Sequence, residues 1–155
     1  MKNFKTPFGA TPIDPDELEG LRLKHISTRS ELDRWEHENI SEAMDWLERR
    51  RERDILSEEF IKKLHFKMFG KVWKWAGTFR RSEKNIGVNW HKISTELRVL
   101  LDDVKYWINH QTYLEDEIAV RFHHRLVWIH LFPNGNGRHA RLMTDILVKE
   151  LLGKD

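Results

Sequence analysis

The chain has 155 residues, of which 39% are hydrophobic, including seven tryptophans and eight phenylalanines. This apolar content is sufficient for a packed core, which excludes an intrinsically disordered protein. Charged residues make up 34% but nearly cancel to a net charge of +2, and the lack of cysteine excludes disulfides and thiolate metal sites. No apolar run is long enough for a signal peptide or a membrane span, so a cytoplasmic protein without a membrane partner is expected.

The first 25 residues of the chain have a different composition from the remainder. Residues 1–25 are rich in proline, glycine and threonine, which predicts an irregular arm with one helical turn. Residues 26–155 are predicted to form a single domain. Thr28 and Glu31 have the spacing of a capping box, so a long helix should begin there and run to about Arg51.

Further helices are predicted along the rest of the chain. Ser57 is a predicted cap for a helix that ends near Gly70. Residues 78–90 alternate apolar and polar side chains, which indicates a short β-hairpin. Three more helices are predicted over residues 95–110, 114–131 and 138–152. The fold class is therefore predicted to be mainly α, a compact helical domain with one short hairpin.

A glycine-rich loop before the last predicted helix is the segment that carries chemistry. Gly135 and Gly137 flank Asn136, and the helix is expected to begin directly after them. Glycines accept backbone angles that other residues resist and let main-chain N–H groups approach a ligand. The positive end of the helix dipole favours anions at the same place. The loop therefore predicts a site for phosphate.

Three side chains around this loop have the chemistry of a phosphate-transfer site. Arg138 and Arg141 lie three residues apart on one helical face, where cations oppose the helix dipole unless they face an anion. His130 precedes the loop, and an ordinary imidazole pKa near 6.5 suits a general base. Each feature alone also has a structural interpretation, such as an Arg141–Asp145 ion pair or a core histidine. Their coincidence favours function.

The segment His130–Arg141 resembles the Fic family signature, His-x-Phe-x-Asp/Glu-Gly-Asn-Gly-Arg-x-x-Arg. Residues 75–87 resemble the entry to the flap of that family. The similarity extends over roughly residues 10–150, and it is greatest to the subgroup called mobile mystery protein B. It implies a compact helical fold with a flap over the active site.

The same resemblance implies an enzyme, a protein adenylyltransferase that moves AMP from ATP to a Ser, Thr or Tyr hydroxyl of a target protein. His130 would be the base, and Phe132 would anchor the motif in the core. Arg138 and Arg141 would hold the outer phosphates. The anion nest would be formed by Gly135, Asn136 and Gly137.

The flap implied by the resemblance would dock the target segment by strand addition. An ordinary solvated hairpin is the alternative for its basic residues. The predicted docking residues are Thr78, Phe79, Arg80, Arg81, Lys84, Asn85, Ile86 and Gly87.

One position of the motif departs from the family pattern. Asn134 stands where the family has an acidic Mg²⁺ ligand, and a neutral amide oxygen holds Mg²⁺ less well than a carboxylate. Mg²⁺ is therefore expected as a cofactor of a weakened site. Many members also carry an inhibitory glutamate that pairs with the second motif arginine. Glu36 and Glu38 are the candidates, with ordinary surface glutamates as the alternative.

Two other functions remain open at this point. One is the transfer of a different phosphate-containing group to a protein. The other is a catalytically weak nucleotide-binding module in a toxin–antitoxin-like pair. The expected partners are ATP, a hydroxyl-bearing protein target, an antitoxin or regulatory protein, and a second copy of this chain. No direct nucleic-acid role is predicted.

Overall fold

The computed structural model describes residues 4–6 and 12–153. These residues form six α-helices, and the mainly α class predicted above is confirmed. A short 3₁₀ turn, Trp90–Lys92, precedes the fourth helix. No described helix is both long and apolar enough to cross a membrane. The helices are α1 (Pro15–Leu18), α2 (Arg29–Arg49), α3 (Glu58–Phe69), α4 (Ile93–His110), α5 (Glu115–Ile129) and α6 (Asn136–Glu150).

The helix starts follow local capping chemistry, as the sequence predicts. The Thr28 hydroxyl oxygen accepts a hydrogen bond from the Glu31 N–H at 3.2 Å and caps α2. The Ser57 hydroxyl oxygen accepts from the Phe60 N–H at 3.1 Å at the start of α3. These bonds satisfy N–H groups that have no acceptor inside the helix.

The predicted start of α4 at Thr95 is wrong by two residues. The Asn89 side chain accepts from the His91 N–H at 3.0 Å and starts the 3₁₀ turn, which runs directly into α4 at Ile93. Because asparagine is a strong cap, this earlier signal takes precedence over the threonine.

The chain forms two compact units, Met1–Arg51 with Lys63–Thr78, and Glu52–Lys62 with Phe79–Asp155. In the first unit, the described part of the predicted N-terminal arm pairs with other backbone. Leu21 forms an isolated antiparallel bridge with Trp73, and the Arg22 N–H donates to the Val72 carbonyl at 2.8 Å. The rest of the predicted arm lies outside the described residues.

The core of the second unit is built by α4, α5 and α6. Each of these helices turns an apolar stripe inward, which is the ordinary way that amphipathic helices are stabilised. The buried residues are Leu97, Leu100, Leu101 and Val104 from α4, Ile118, Phe122, Leu126 and Ile129 from α5, and Ala140, Met143, Ile146 and Leu147 from α6.

The predicted β-hairpin does not form as a pair of strands in the described residues 78–90. Its two arms bond to the backbone that follows α5 and to the last turn of that helix. The Arg80 N–H donates to the Leu131 carbonyl at 2.9 Å, and the Val88 N–H donates to the Ile129 carbonyl at 3.4 Å. The Arg80 guanidinium also donates to the Val88 carbonyl. Backbone groups that a hairpin ladder would use are therefore already paired elsewhere.

A buried histidine of α6 should make the fold sensitive to acid. His139 is 1% exposed, its Nε2 lies 3.0 Å from the Ile61 carbonyl oxygen, and burial lowers its pKa to about 4. The unfolded chain, with a pKa near 6.5, therefore binds a proton that the folded chain refuses. The contribution of His139 to the free energy of unfolding should be fully present above pH 6.5. It should fall by about 3 kcal/mol as the pH drops to 4.

Denaturant unfolding at a series of pH values measures this effect. The variant His139→Leu cannot titrate at this position, so its loss of stability between pH 6.5 and 4 should be smaller than that of the wild type. Equal pH dependence of the two proteins would contradict the assignment.

Candidate active site

Helix α5 ends at a histidine in an unusual backbone conformation. His130 has φ 57°, in the left-handed region, and its N–H donates to the Val127 carbonyl at 3.1 Å. A residue other than glycine in this region is uncommon and is a frequent feature of functional sites. The side chain is 4% exposed, and its buried Nε2 has no hydrogen-bond partner in the described part of the protein.

The surroundings of His130 keep its imidazole neutral. Burial, which is the largest cause, and the positive charges of Arg80 and Lys84 together lower the pKa of His130 to about 4. The neutral ring has a lone pair and can accept a proton, which is what a general base requires. The unbonded Nε2 is the ring nitrogen available for this purpose.

The loop of residues 82–88, called the covering loop below, packs against the Cβ atom of His130. Gly87 has φ 92°, and a Cβ atom there would lie 2.7 Å from the His130 Cβ and 2.8 Å from the Arg80 Nη2. Only glycine accepts both this backbone angle and this close approach. Because Nε2 is buried, a hydroxyl group can reach it only after the covering atoms move.

The loop between α5 and α6 is closed by the side chain of Asn136. The Phe132 N–H donates to the Asn136 Oδ1 at 2.9 Å, and the Asn136 Nδ2 donates to the Phe132 carbonyl at 2.8 Å. Phe132 is fully buried, with its ring 5.5 Å from the ring of Phe79 and 5.0 Å from that of His139. The Asn136 amide is therefore engaged with the protein, and only its backbone N–H is offered to a nest.

Helix α6 begins two residues earlier than predicted, at Asn136. Gly135 is its N-cap with φ 79°, and the first intrahelical bond runs from the His139 N–H to the Gly135 carbonyl at 3.0 Å. The N–H groups of Asn136 and Gly137 precede this bond and have no acceptor inside the helix. The position of a Gly137 Cβ has no atom within 4 Å, so this end of the helix is open. Such an end attracts anions.

The two motif arginines are exposed on the first turns of α6. The alternative ion pair between Arg141 and Asp145 is not formed in the described chain. Arg138 and Arg141 thus add positive charge at an end of the helix that is already positive. This arrangement disfavours the isolated helix but favours an anionic ligand.

The residues present do not make a preformed Mg²⁺ site. Asn134 offers a neutral amide oxygen, and this oxygen already accepts from the Gly135 N–H at 2.9 Å. The described residues contain no cluster of three or more histidine, cysteine, aspartate or glutamate side chains that could hold a metal. Mg²⁺ prefers charged oxygen ligands, so the donor set does not fit this ion.

The predicted flap residues divide into two groups. Arg81, Asn85 and Ile86 are exposed, as is Thr78, and these side chains are free to meet a partner surface. Arg80 is only 2% exposed and bonds to backbone carbonyls. Phe79, Lys84 and Gly87 contact their own unit: Phe79 lies beneath Lys62, and Lys84 and Gly87 face His130.

The two glutamates considered as inhibitors have different surroundings in the first unit. Glu36 is 4% exposed, and its carboxylate accepts from the Trp73 Nε1 at 2.8 Å. Glu38 is exposed on α2. The Glu36 carboxylate therefore has a structural role as the acceptor for Trp73. An inhibitory role for either glutamate stays a prediction.

Sequence reasoning did not assign a structural role to Arg80 or His139. His139 falls on a wildcard position of the signature, yet it is buried against Phe132. Nothing in the sequence around Arg80 distinguishes a buried arginine from the exposed Arg81 beside it.

A family model for the Fic/DOC family matches residues 55–148, which is more than half of the chain. The chain belongs to the Fic/DOC family. The predicted resemblance is thereby confirmed at the level of the family, and the mobile mystery protein B subgroup stays a prediction.

Curated relatives agree with this family. The chain is 31% identical over 99 residues to the protein adenylyltransferase Fic of Aedes aegypti, covering 61% of this chain and 20% of that protein. It is 33% identical over 92 residues to the protein of the same name from Drosophila virilis, covering 57% and 19%. The chain therefore spans about a fifth of the length of these relatives.

Solved structures of Fic domains share the fold. The N-terminal Fic domain of an effector protein from Bartonella sp. AR 15-3 has a TM-score of 0.67 at 18% identity, over 83% of this chain and 67% of that one. The BepC protein of Bartonella tribocorum, with bound AMPPNP, has a TM-score of 0.67 at 20% identity, over 83% and 72%.

The Asn136 side chain should be essential for the stability of this Fic/DOC loop. In Asn136→Asp the donor to the Phe132 carbonyl is lost and a carboxylate is buried beside a carbonyl oxygen. The free energy of unfolding should fall by about 2–4 kcal/mol. Denaturant unfolding measures it, with Asn85→Asp on the exposed loop as the control, which should change by less than about 0.5 kcal/mol. Similar stability of both variants would refute this role for Asn136.

Proposed function

We propose that this Fic/DOC protein transfers AMP from ATP to a hydroxyl group of a protein target, with His130 as the base. The observation that carries the proposal is the α5–α6 junction. A neutral imidazole with an unbonded Nε2 ends one helix, and the next helix begins with an open, glycine-flanked N-terminus. The curated relatives are named protein adenylyltransferases, and one structural neighbour contains AMPPNP, which supports ATP as the donor.

In the proposed reaction, the target hydroxyl oxygen attacks the α-phosphorus of ATP. A new O–P bond forms, the bond from the α-phosphorus to the bridging oxygen breaks, and pyrophosphate leaves. The Nε2 of His130 takes the hydroxyl proton. Arg138 and Arg141 would bind the outer phosphates and stabilise the charge that develops on the leaving group. Catalysis is then mainly positioning and charge stabilisation.

Access to His130 is part of this proposal. The loop of residues 82–88 packs against His130, and the Nε2 of this residue is buried. A target that docks on the exposed residues Arg81, Asn85 and Ile86 would therefore move this loop before its hydroxyl reaches Nε2. Burial until the target arrives would also keep water from the base.

Two observations favour a second candidate, a catalytically weak nucleotide-binding module in a toxin–antitoxin-like pair. The base is buried, and Asn134 provides no charged metal ligand. Such a module would bind ATP and transfer nothing. Transfer of another phosphate-containing group is a third outcome of the experiment below. A cytoplasmic location, a regulatory partner and self-association stay predictions.

Two labelled forms of ATP test the proposed reaction. Incubation of the protein with a cell lysate and α-labelled ATP should label a protein target, while γ-labelled ATP should not. In His130→Ala, labelling should fall by about 10²–10⁴-fold, because the base is lost. ATP binding, measured by calorimetry, should change by less than about two-fold because the nest is retained.

The matched control is His124→Ala, which removes an exposed histidine from α5, the helix that precedes His130, and should preserve labelling. Transfer of the γ-label alone would replace AMP transfer by phosphate transfer. ATP binding without label on any protein would favour the nucleotide-binding module. Equal loss of binding and labelling in His130→Ala would make that residue structural.

A further inference from the structure

Arg80 is the most completely buried cation among the described residues of the second unit, and its guanidinium bonds only to backbone. Its Nε donates to the His130 carbonyl at 2.5 Å, and its Nη2 donates to the Ile129 carbonyl at 3.2 Å. Its Nη1 donates to the Ser82 carbonyl at 2.9 Å, and its Nη2 also donates to the Val88 carbonyl. One side chain thus joins the end of α5 to both ends of the covering loop.

The end of α5 needs such a donor. The last carbonyls of a helix have no donor inside it, and buried carbonyls without a donor are costly. His130 leaves the helix with φ 57°, so the carbonyls of Ile129 and His130 cannot be satisfied by a continuing helix. A cation is also favoured at a helix C-terminus by the dipole. The guanidinium supplies both the donors and the charge.

The covering loop depends on the same side chain. Residues 82–88 form no strand pairing, and the carbonyls of Ser82 and Val88 both point to Arg80. Gly87 lies against both Arg80 and His130, at distances that leave no room for a Cβ atom. The Arg80 backbone N–H additionally donates to the Leu131 carbonyl at 2.9 Å. Displacement of the loop must therefore disturb the bonds that hold the end of α5.

We propose that Arg80 is a positioning residue that couples the covering loop 82–88 to the backbone of His130, so that displacement of the loop releases the imidazole. Its consequence for transfer rests on the proposed function. The coupling itself is a property of the folded chain and can be measured without any reaction.

Lysine at this position is an informative replacement. Lys keeps the charge, but its three N–H groups are all on one nitrogen atom. The guanidinium has five N–H groups spread over three nitrogen atoms in one plane. Arg80→Lys should therefore keep one or two of the four carbonyl bonds and lose the connection between the two segments. Arg98→Lys, at an exposed position on α4 in the same unit, is the matched control.

The primary readout is hydrogen–deuterium exchange by mass spectrometry on the intact protein. In Arg80→Lys, exchange should become at least ten-fold faster both in residues 82–88 and in residues 129–131. Carbethoxylation of His130, followed by mass spectrometry, should accelerate by a similar factor. Arg98→Lys should change neither. Faster exchange in only one of the two segments, or in none, would overturn the coupling.

A second variant keeps the test decisive if Arg80→Lys does not fold. Gly87→Ala leaves Arg80 in place but forces a Cβ atom against His130 and the guanidinium at a positive φ, so it pushes the loop off from outside. The same two segments should lose protection together, and loss in residues 82–88 alone would contradict the proposal. If the wild type transfers AMP, the Arg80→Lys variant should have a kcat at least ten-fold lower than the wild type and a KM for ATP within two-fold of it.

The two proposals can fail separately. Coupled exchange in the variants without AMP transfer by the wild type would leave the positioning role intact and remove the adenylyltransferase. AMP transfer by the wild type, together with an unchanged kcat in a folded Arg80→Lys variant, would support the adenylyltransferase and remove the positioning role of Arg80.

Discussion

The junction between α5 and α6 places the unsatisfied ends of two helices within one short loop, and the rest of the site depends on how these ends are paired. Carbonyls at the end of α5 require donors, and N–H groups at the start of α6 require acceptors. Arg80 supplies donors to the carbonyls of Ile129 and His130, and the Asn136 amide closes the loop on Phe132. The N-terminal end of α6 is open at Gly137, and such a helix end favours anions.

The same charges govern the histidine and the proposed ligand. Arg80 and Lys84 oppose protonation of His130, and burial opposes it more strongly, so the ring is neutral at physiological pH. The positive surroundings that disfavour an imidazolium favour phosphate. The same positive charge therefore accounts both for a neutral imidazole and for a preference for phosphate near it.

Membership of the Fic/DOC family limits the chemistry but does not determine it. The match covers residues 55–148, whereas the chain spans about a fifth of the curated relatives that are named adenylyltransferases. Asn134 separates this chain from the family signature, because it offers no negative charge to a metal at the phosphates, and the Nε2 of His130 is buried. Both features would slow a reaction while leaving nucleotide binding in place, so binding and transfer have to be measured separately.

Local sequence determined the presence of the helices, the caps of α2 and α3, and the glycine-rich loop before α6. Thr28 and Ser57 cap α2 and α3 because capping depends on residues three positions apart, and the glycines around Asn136 mark the loop for the same local reason. Only the tertiary structure decided whether residues 78–90 would pair with each other as a hairpin, and which arginine would be buried. Residues 78–90 have the pattern of a hairpin, but the carbonyls that a ladder needs are taken by a guanidinium and by backbone about fifty residues away in the sequence. The burial of Arg80, His139 and Glu36 likewise depends on partners distant in the chain, and no periodicity or motif encodes a pairing of that range.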